Sequence, residues 1–307
     1  MDADLDTLAT ALYVEADDLL KAYPEHLPPR PTIGIVPRIT DAELITLAVM
    51  QALLGFTSEV RWLRHARRSL RSMFPYLPGQ SGYNKRLRRL GATMNWLIGM
   101  LGRRSGVFSD DVWIVDSTPV ECARSRETVK RSDLAGWAEY GYCASHSRYF
   151  WGLRLHLVCT LHGLPVGYAL TGAKADERQI FLDVLAGTSG MAAVREDGRK
   201  QTVIADKNYF GHDFEATLEH TGMELLRPAR KGEQPRAGSR FFKPLRQIIE
   251  SINDTLKGQL DLEQHGGRKP DGVIVRVTQR LLAMSAAIWH NDLTGRAVRR
   301  SLSAYDH

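Results

Sequence analysis

One apolar strand that closes on a carboxylate constrains this chain more than any other stretch: Asp111-Val112-Trp113-Ile114-Val115-Asp116, followed by Ser117-Thr118-Pro119. Val112, Ile114 and Asp116 share one face at period two, and Trp113 and Val115 share the other. An ionised carboxylate at the end of a buried strand is costly without a partner. Asp116 therefore either caps the turn before Pro119 or waits for a ligand. A second strand, Thr202-Val203-Ile204-Ala205-Asp206, ends the same way, and a third acid, Glu250, falls in an expected helix. Three acids from separate elements can converge on a divalent cation.

Around that strand the pattern changes along the chain. Up to about residue 106 apolar residues recur at helical spacing; from Val107 they alternate, which places a domain boundary there. With 307 residues, 43% hydrophobic and 25% charged, the chain is ordinary for a soluble globular protein. No apolar run is long enough for a membrane span. The acidic start, Met1-Asp2-Ala3-Asp4, is unlike a signal peptide. Three cysteines without a CxxC pair argue against a disulfide framework or a structural zinc, and make a reducing cytoplasm the default.

The net charge of +6 is unevenly spread. Residues 1–59 hold ten acids and three Lys/Arg, whereas residues 61–104 hold eleven Lys/Arg and no acid. Such a basic segment repels itself unless a polyanion is near, and nucleic acid is the obvious one.

In order, the chain reads as an acidic helix and a proline-rich linker (1–37), then a helical basic DNA-binding domain (38–106). Thr40 and Glu43 form a capping box for a helix ending near Gly55. The next helix buries Trp62, Ala66 and Leu70 and projects Arg61, Arg64, Arg67, Arg68 and Arg71. A third, from about Ser81 to Leu101, projects Lys85, Arg86, Arg88 and Arg89. Three short basic helices suit a helix-turn-helix or related docking bundle; an ordinary solvated basic face is the other reading. The catalytic domain is expected over 107–292, with a C-terminal tail over 293–307. After the Asp116 strand come a polar loop (121–147) and a hairpin of Tyr149–Thr160 with Leu164–Leu170. A helix from Asp176, the Asp206 strand, a helix near 212–221, a strand 224–227, a helix from about Pro244 and a last helix over 272–291 complete the order. It describes a mixed sheet covered by helices, an α/β or α+β layered domain. Asp110 and Asp111 read as turn residues, Asp176 as a helix N-cap and His156 as a core histidine. Lys207 and Tyr209, flanking the second acid, suit either a phosphate contact or surface packing.

Several segments together resemble the DDE transposases of bacterial insertion sequences: Asp116-Ser117-Thr118-Pro119, Tyr149-Phe150-Trp151-Gly152-Leu153-Arg154-Leu155-His156, and Ala205-Asp206-Lys207-Asn208-Tyr209. Many of these enzymes carry a Tyr-(2)-Arg-(3)-Glu-(6)-Lys signature. Arg246, Glu250 and Lys257 match its intervals, while Lys243, next to Phe242, stands at the tyrosine position. The resemblance covers roughly 107–292 and, less specifically, 38–104.

It implies an RNase-H-like catalytic domain that cuts and rejoins DNA at the ends of its own element. Water and then a DNA 3′-hydroxyl would act as in-line nucleophiles. Asp116, Asp206 and Glu250 would be the catalytic, metal-ligating acids for Mg²⁺ or Mn²⁺, with two ions expected. Arg246 and Lys257, on Glu250's helix, would hold DNA. The expected DNA-binding set is thus Arg61, Arg64, Arg68, Arg71, Lys85, Arg86, Arg89, Lys207, Arg246 and Lys257. The partners implied are double-stranded DNA, both element ends and target, and a second copy of the chain in an active dimer. A cytoplasmic, nucleoid-associated location follows from the same reading. A nuclease without strand joining, and a catalytically inactive DNA-binding descendant, are the alternatives.

Overall fold

Packing divides the chain into two units, Met1–Ser105 with Thr255–His307, and Gly106–Asp254. The computed structural model describes residues 3–29, 36–143, 147–187, 199–236, 238, 242–298, 302 and 305. The first helices are α1 (Ala3–Ala22), α2 (Asp41–Leu53), α3 (Glu59–Ser69), α4 (Gln80–Arg89) and α5 (Gly91–Arg103). Then come β1 (Val112–Ala123), α6 (Arg126–Lys130), β2 (Glu139–Cys143), β3 (Arg148–Thr160), β4 (Pro165–Gly172), α7 (Glu177–Gly187), β5 (Gln201–Ile204), α8 (His212–His220), β6 (Met223–Leu226) and α9 (Phe242–Asp254). A π-helical turn (Thr255–Gln259) leads towards α10 (Pro270–Leu293).

In the helical unit, the expected capping box starts α2: the Glu43 N–H donates to Thr40 Oγ1 at 3.1 Å, and Glu43 Oε2 accepts from the Thr40 N–H at 2.6 Å. The third expected helix is in fact two. It breaks at Leu90, whose N–H turns back to the carbonyls of Arg86, Leu87 and Arg88, and α5 restarts at Gly91. Tyr83, Leu87, Leu90, Met94, Leu97 and Leu101 are all buried, so the apolar stripe runs through the break and periodicity does not reveal it. Helix α10 packs against α1, α2 and α5. Nearly every residue from Val273 to His290 is buried, as a helix at the centre of a bundle requires. By contacts, the segment from Thr255 onward groups with the helical unit. Of the proline linker, Pro24–His26 form a 3₁₀ turn, and 30–35 lie outside the described residues.

The other unit is a mixed sheet. β4, β3 and β1 run antiparallel in that spatial order, and β5 and β6 continue the sheet parallel to β1. Mixed strand directions flanked by helices give the RNase-H-like arrangement that the resemblance implies. Strand β2 pairs with the first half of β3 and lies inside the stretch expected to be loop. Its Tyr140 and Tyr142 are exposed and only Gly141 and Cys143 are buried, so no large apolar side chain marked its inner face. Strand β1 is also longer than expected. Pairing with β3 runs from Trp113 to Ala123, past both Asp116 and Pro119. Pro119 is tolerated because β5 pairs only with Val112–Ile114, leaving that edge of β1 without a partner strand among the described residues. Gly152 of β3 lies under the irregularity in β1 after Glu121, where a Cβ would run into the Val120 carbonyl. One sheet face is covered by a core of Trp113, Val115, Val158, Phe181, Val203, Tyr209, Phe214 and Leu218.

Candidate active site

The place where β5 stops explains the two strand acids. β1 loses its parallel neighbour after Ile114 and continues for two more residues to Asp116. Asp206 follows two residues after Ile204, with which Ile114 is in register. Alternation then puts both acids on the face shared by Ile114 and Ile204, beyond the end of the parallel pair. That is the crevice in which open α/β sheets bind ligands. Asp206 is exposed, and its two carboxylate oxygens accept from the Asn208 N–H (2.7 Å) and Nδ2 (3.0 Å), a turn that fixes the side chain.

Asp116 is partly buried. Asn253 of α9 donates to its Oδ2 at 2.9 Å. Burial pushes its carboxyl up to about 6, against the lowering donation from Asn253 and the Ser117 N–H; the neighbouring charges of Asp206 and Glu177 raise it further. A carboxylate that is desolvated and faces other carboxylates is short of positive charge.

On the opposite face, with Trp113 and Val115, Ser117 donates to Glu177 Oε1 at 2.5 Å. Arg154 of β3 reaches both, Nη1 lying 3.0 Å from Ser117 Oγ and 3.0 Å from Glu177 Oε1. Glu177 and Asn253 are the site residues that sequence reasoning missed. Each stands beside a residue with a clearer signal, Asp176 and Glu250. Asp176 does cap α7, accepting the Arg178 N–H at 2.9 Å, and Glu177 one step later points inward. His156 is a core histidine, with Nε2 bonded to Thr171 Oγ1 at 2.9 Å; burial lowers its pKa to about 4. Tyr209 is 1% exposed, so the surface-packing reading gives way to a place in the core.

The third expected acid stands apart from the first two. Glu250 is exposed on α9 and pairs with Arg246 at 2.9 Å. It lies one turn before Asn253, on the same side of the helix as the residue that touches Asp116. An exposed pair of this kind contributes at most about 1 kcal/mol, so either end is readily given up to a stronger partner. Lys257, expected on Glu250's helix, lies past its end in the π-helical turn and pairs with Glu263 at 3.3 Å. The side chain of Lys243 lies outside the described residues.

Among the expected DNA contacts, Arg61, Arg64, Arg68, Arg71 and Lys85 are exposed on α3, α4 and the turn between them, and Lys207 is exposed beside Asp206. Arg86 is not available in the same way. Its guanidinium donates to the Ile39 carbonyl at 2.8 Å and to Asp41 at 2.5 Å. Arg89 is exposed but donates to the Pro29 carbonyl.

The residues fit a divalent cation. Among the described residues no three His, Cys, Asp or Glu side chains are close enough to form a cage. Mg²⁺ does not need one: one or two carboxylates, waters and a substrate phosphate suffice. Asp116 and Asp206 are the residues that could supply those carboxylates. No helix among the described residues is long and apolar enough to cross a membrane.

A family model described as a transposase DDE domain matches residues 108–285, more than half of the chain. Two solved structures show weak likeness. One is the Mos1 mariner paired-end complex with Mn, 14% identical over 95% of this chain and 96% of that one, at a TM-score of 0.26. The other is the Mos1 transposase paired-end complex with the left transposon end, 15% identical over 87% and 82%, at 0.25. At such TM-scores neither carries weight beyond the likeness itself. No curated protein matches.

Proposed function

The chain belongs to the transposase DDE-domain family and is a DNA transposase; on that premise we propose that Asp116, Asp206 and Glu250 are its catalytic carboxylates. The observation that carries the reading is the state of Asp116, desolvated, beside Asp206 and held by Asn253. A pair of Mg²⁺ or Mn²⁺ ions, when bound, supplies an activated nucleophile on one side of a phosphodiester and stabilisation of the leaving oxygen on the other.

The chain's own residues do the rest. Asn253 orients Asp116 by its donation, and the Asn208 turn orients Asp206. Glu250 exchanges Arg246 for the site, which frees the guanidinium for a DNA phosphate. Lys207 and Lys257 contribute further phosphate contacts; Lys257 must first leave Glu263. Arg61, Arg64, Arg68, Arg71, Lys85 and Arg89 hold the element end through its backbone. Arg86, fastened to Ile39 and Asp41, supports the bundle instead. We infer further that the DNA is that of a bacterial insertion sequence, that two copies of the chain pair its ends, and that the reaction takes place at the nucleoid.

The test uses DNA flanking the chain's own reading frame as substrate. Asp116→Ala, Asp206→Ala and Glu250→Ala are each expected to slow Mg²⁺- or Mn²⁺-dependent nicking by about 10³-fold or more, about 4 kcal/mol of transition-state stabilisation, with end binding retained. Joining to an oligonucleotide 3′-hydroxyl separates a transposase from a nuclease. Cleavage that survives all three substitutions overturns the carboxylate assignment.

A further inference from the structure

Tyr209 belongs to the turn that carries the second acid, its N–H donating to the Asp206 carbonyl at 3.3 Å. The ring is buried edge-on against Phe181, with centroids 6.1 Å apart, and packs with Phe214. Phe181 lies four residues after Glu177, on the same face of α7. A ring seated on Phe181 thus has Glu177 one turn away along α7. The hydroxyl is fully buried and has no hydrogen-bond partner among the described residues. Its proton is held more tightly than an ordinary phenol's, by burial first and then by the charges of Glu177, Asp116 and Asp206, in that order. Native interiors seldom leave a buried hydroxyl unpaired, and one that is left has a purpose worth seeking.

Glu177 is the natural acceptor. One of its oxygens already takes Ser117, next to Asp116, and Arg154. A hydrogen bond from Tyr209 to Glu177 would tie the Asp206 turn to the Asp116 strand and so fix the spacing of the two acids. Resting on the carboxylate assignment above, we propose that Tyr209 is a positioning residue, whose hydroxyl closes onto Glu177 when a divalent cation draws Asp116 and Asp206 together. Partners one step removed from a metal's ligands orient those ligands, and their loss typically weakens metal binding by about 10–100-fold.

The experiment measures Mn²⁺ affinity of the full chain without DNA, by electron paramagnetic resonance, together with the Tm of the metal-free protein. Tyr209→Phe keeps the ring and removes only the oxygen. It is expected to weaken Mn²⁺ binding about tenfold while the metal-free Tm stays the same or rises. In the Tyr209→Phe/Glu177→Gln double variant the loss should not exceed that of the weaker-binding single variant, because one link has been cut twice. Unchanged Mn²⁺ affinity in Tyr209→Phe overturns the proposal, and so do multiplying losses in the double variant. A Tyr209→Phe chain that fails to fold also overturns it, since an unpaired hydroxyl holds nothing together. Asp116→Asn is the control: wild-type Mn²⁺ binding in that variant would refute the carboxylate assignment rather than the Tyr209 link.

Discussion

Two partly hidden carboxylates, Glu59 in the helical unit and Asp116 in the sheet unit, are treated in opposite ways. Glu59 is met from three sides: Gln80 donates at 3.0 Å, Asn84 at 2.7 Å, and the buried Arg276 forms an ion pair with it. Arg276 in turn reaches Gln51 and Gln279, and Tyr83 donates to Gln51 at 2.8 Å. A polar group so fully paired ties α2, α3, α4 and α10 into one arrangement. Among the described residues Asp116 has a single side-chain donor, Asn253, and two like-charged neighbours. The first carboxylate is complete without anything else, whereas the second is short of cations. That shortage separates a binding site from a structural knot more sharply than burial does.

The strongest way to break the comparison is to remove Glu59. Glu59→Ala strands the Arg276 charge and should cost about 3–5 kcal/mol in urea unfolding. A cost below about 1 kcal/mol would mean that the network is ornamental. For Asp116 the sign reverses. Its folded pKa of about 6 lies above the ordinary carboxyl value of 3.8. The stability it lends is therefore fully present below about pH 4 and lost as pH rises through 6. Asp116→Asn should make the metal-free chain more stable at pH 8 by about 3 kcal/mol and leave it unchanged at pH 4. Greater instability of that variant at pH 8 would place Asp116 with Glu59 as a structural acid.

The smallest effects distinguish exposed from engaged arginines. Charge reversal at Arg64 and Arg68, which have no ion-pair partner among the described residues, should change stability by no more than about 0.5 kcal/mol. It should lower the salt slope of end binding by about 1 for each DNA phosphate that is no longer neutralised. Arg86→Ala should do the reverse, weakening the fold through Ile39 and Asp41 with little change in that slope. An Arg64 variant with an unaltered slope would assign the basic face of α3 to another role.

Local chemistry was enough to read much of the chain. The Thr40–Glu43 capping box, the β3–β4 hairpin, the Asp176 cap and the switch from helical to alternating period near 107 all depend on residues a few positions apart, and short-range geometry determines them. The acids Asp116 and Asp206 were visible as carboxylates closing apolar runs. Other features depended on pairings between distant segments. β1 runs on past Asp116 because β3 accompanies it after β5 has stopped, and β2 exists only because β3 has an open edge. The stripe from Tyr83 to Leu101 hid the break at Leu90, since burial is indifferent to a change of helix direction. The grouping of α10 with α1, α2 and α5 comes from side-chain packing that no local pattern encodes. Glu177 acquired its contact with Ser117, Asn253 its contact with Asp116, and Tyr209 its place in the core in the same way. A residue's type and spacing state what chemistry it offers; which neighbours desolvate or pair it depends on the packing of elements far apart in sequence.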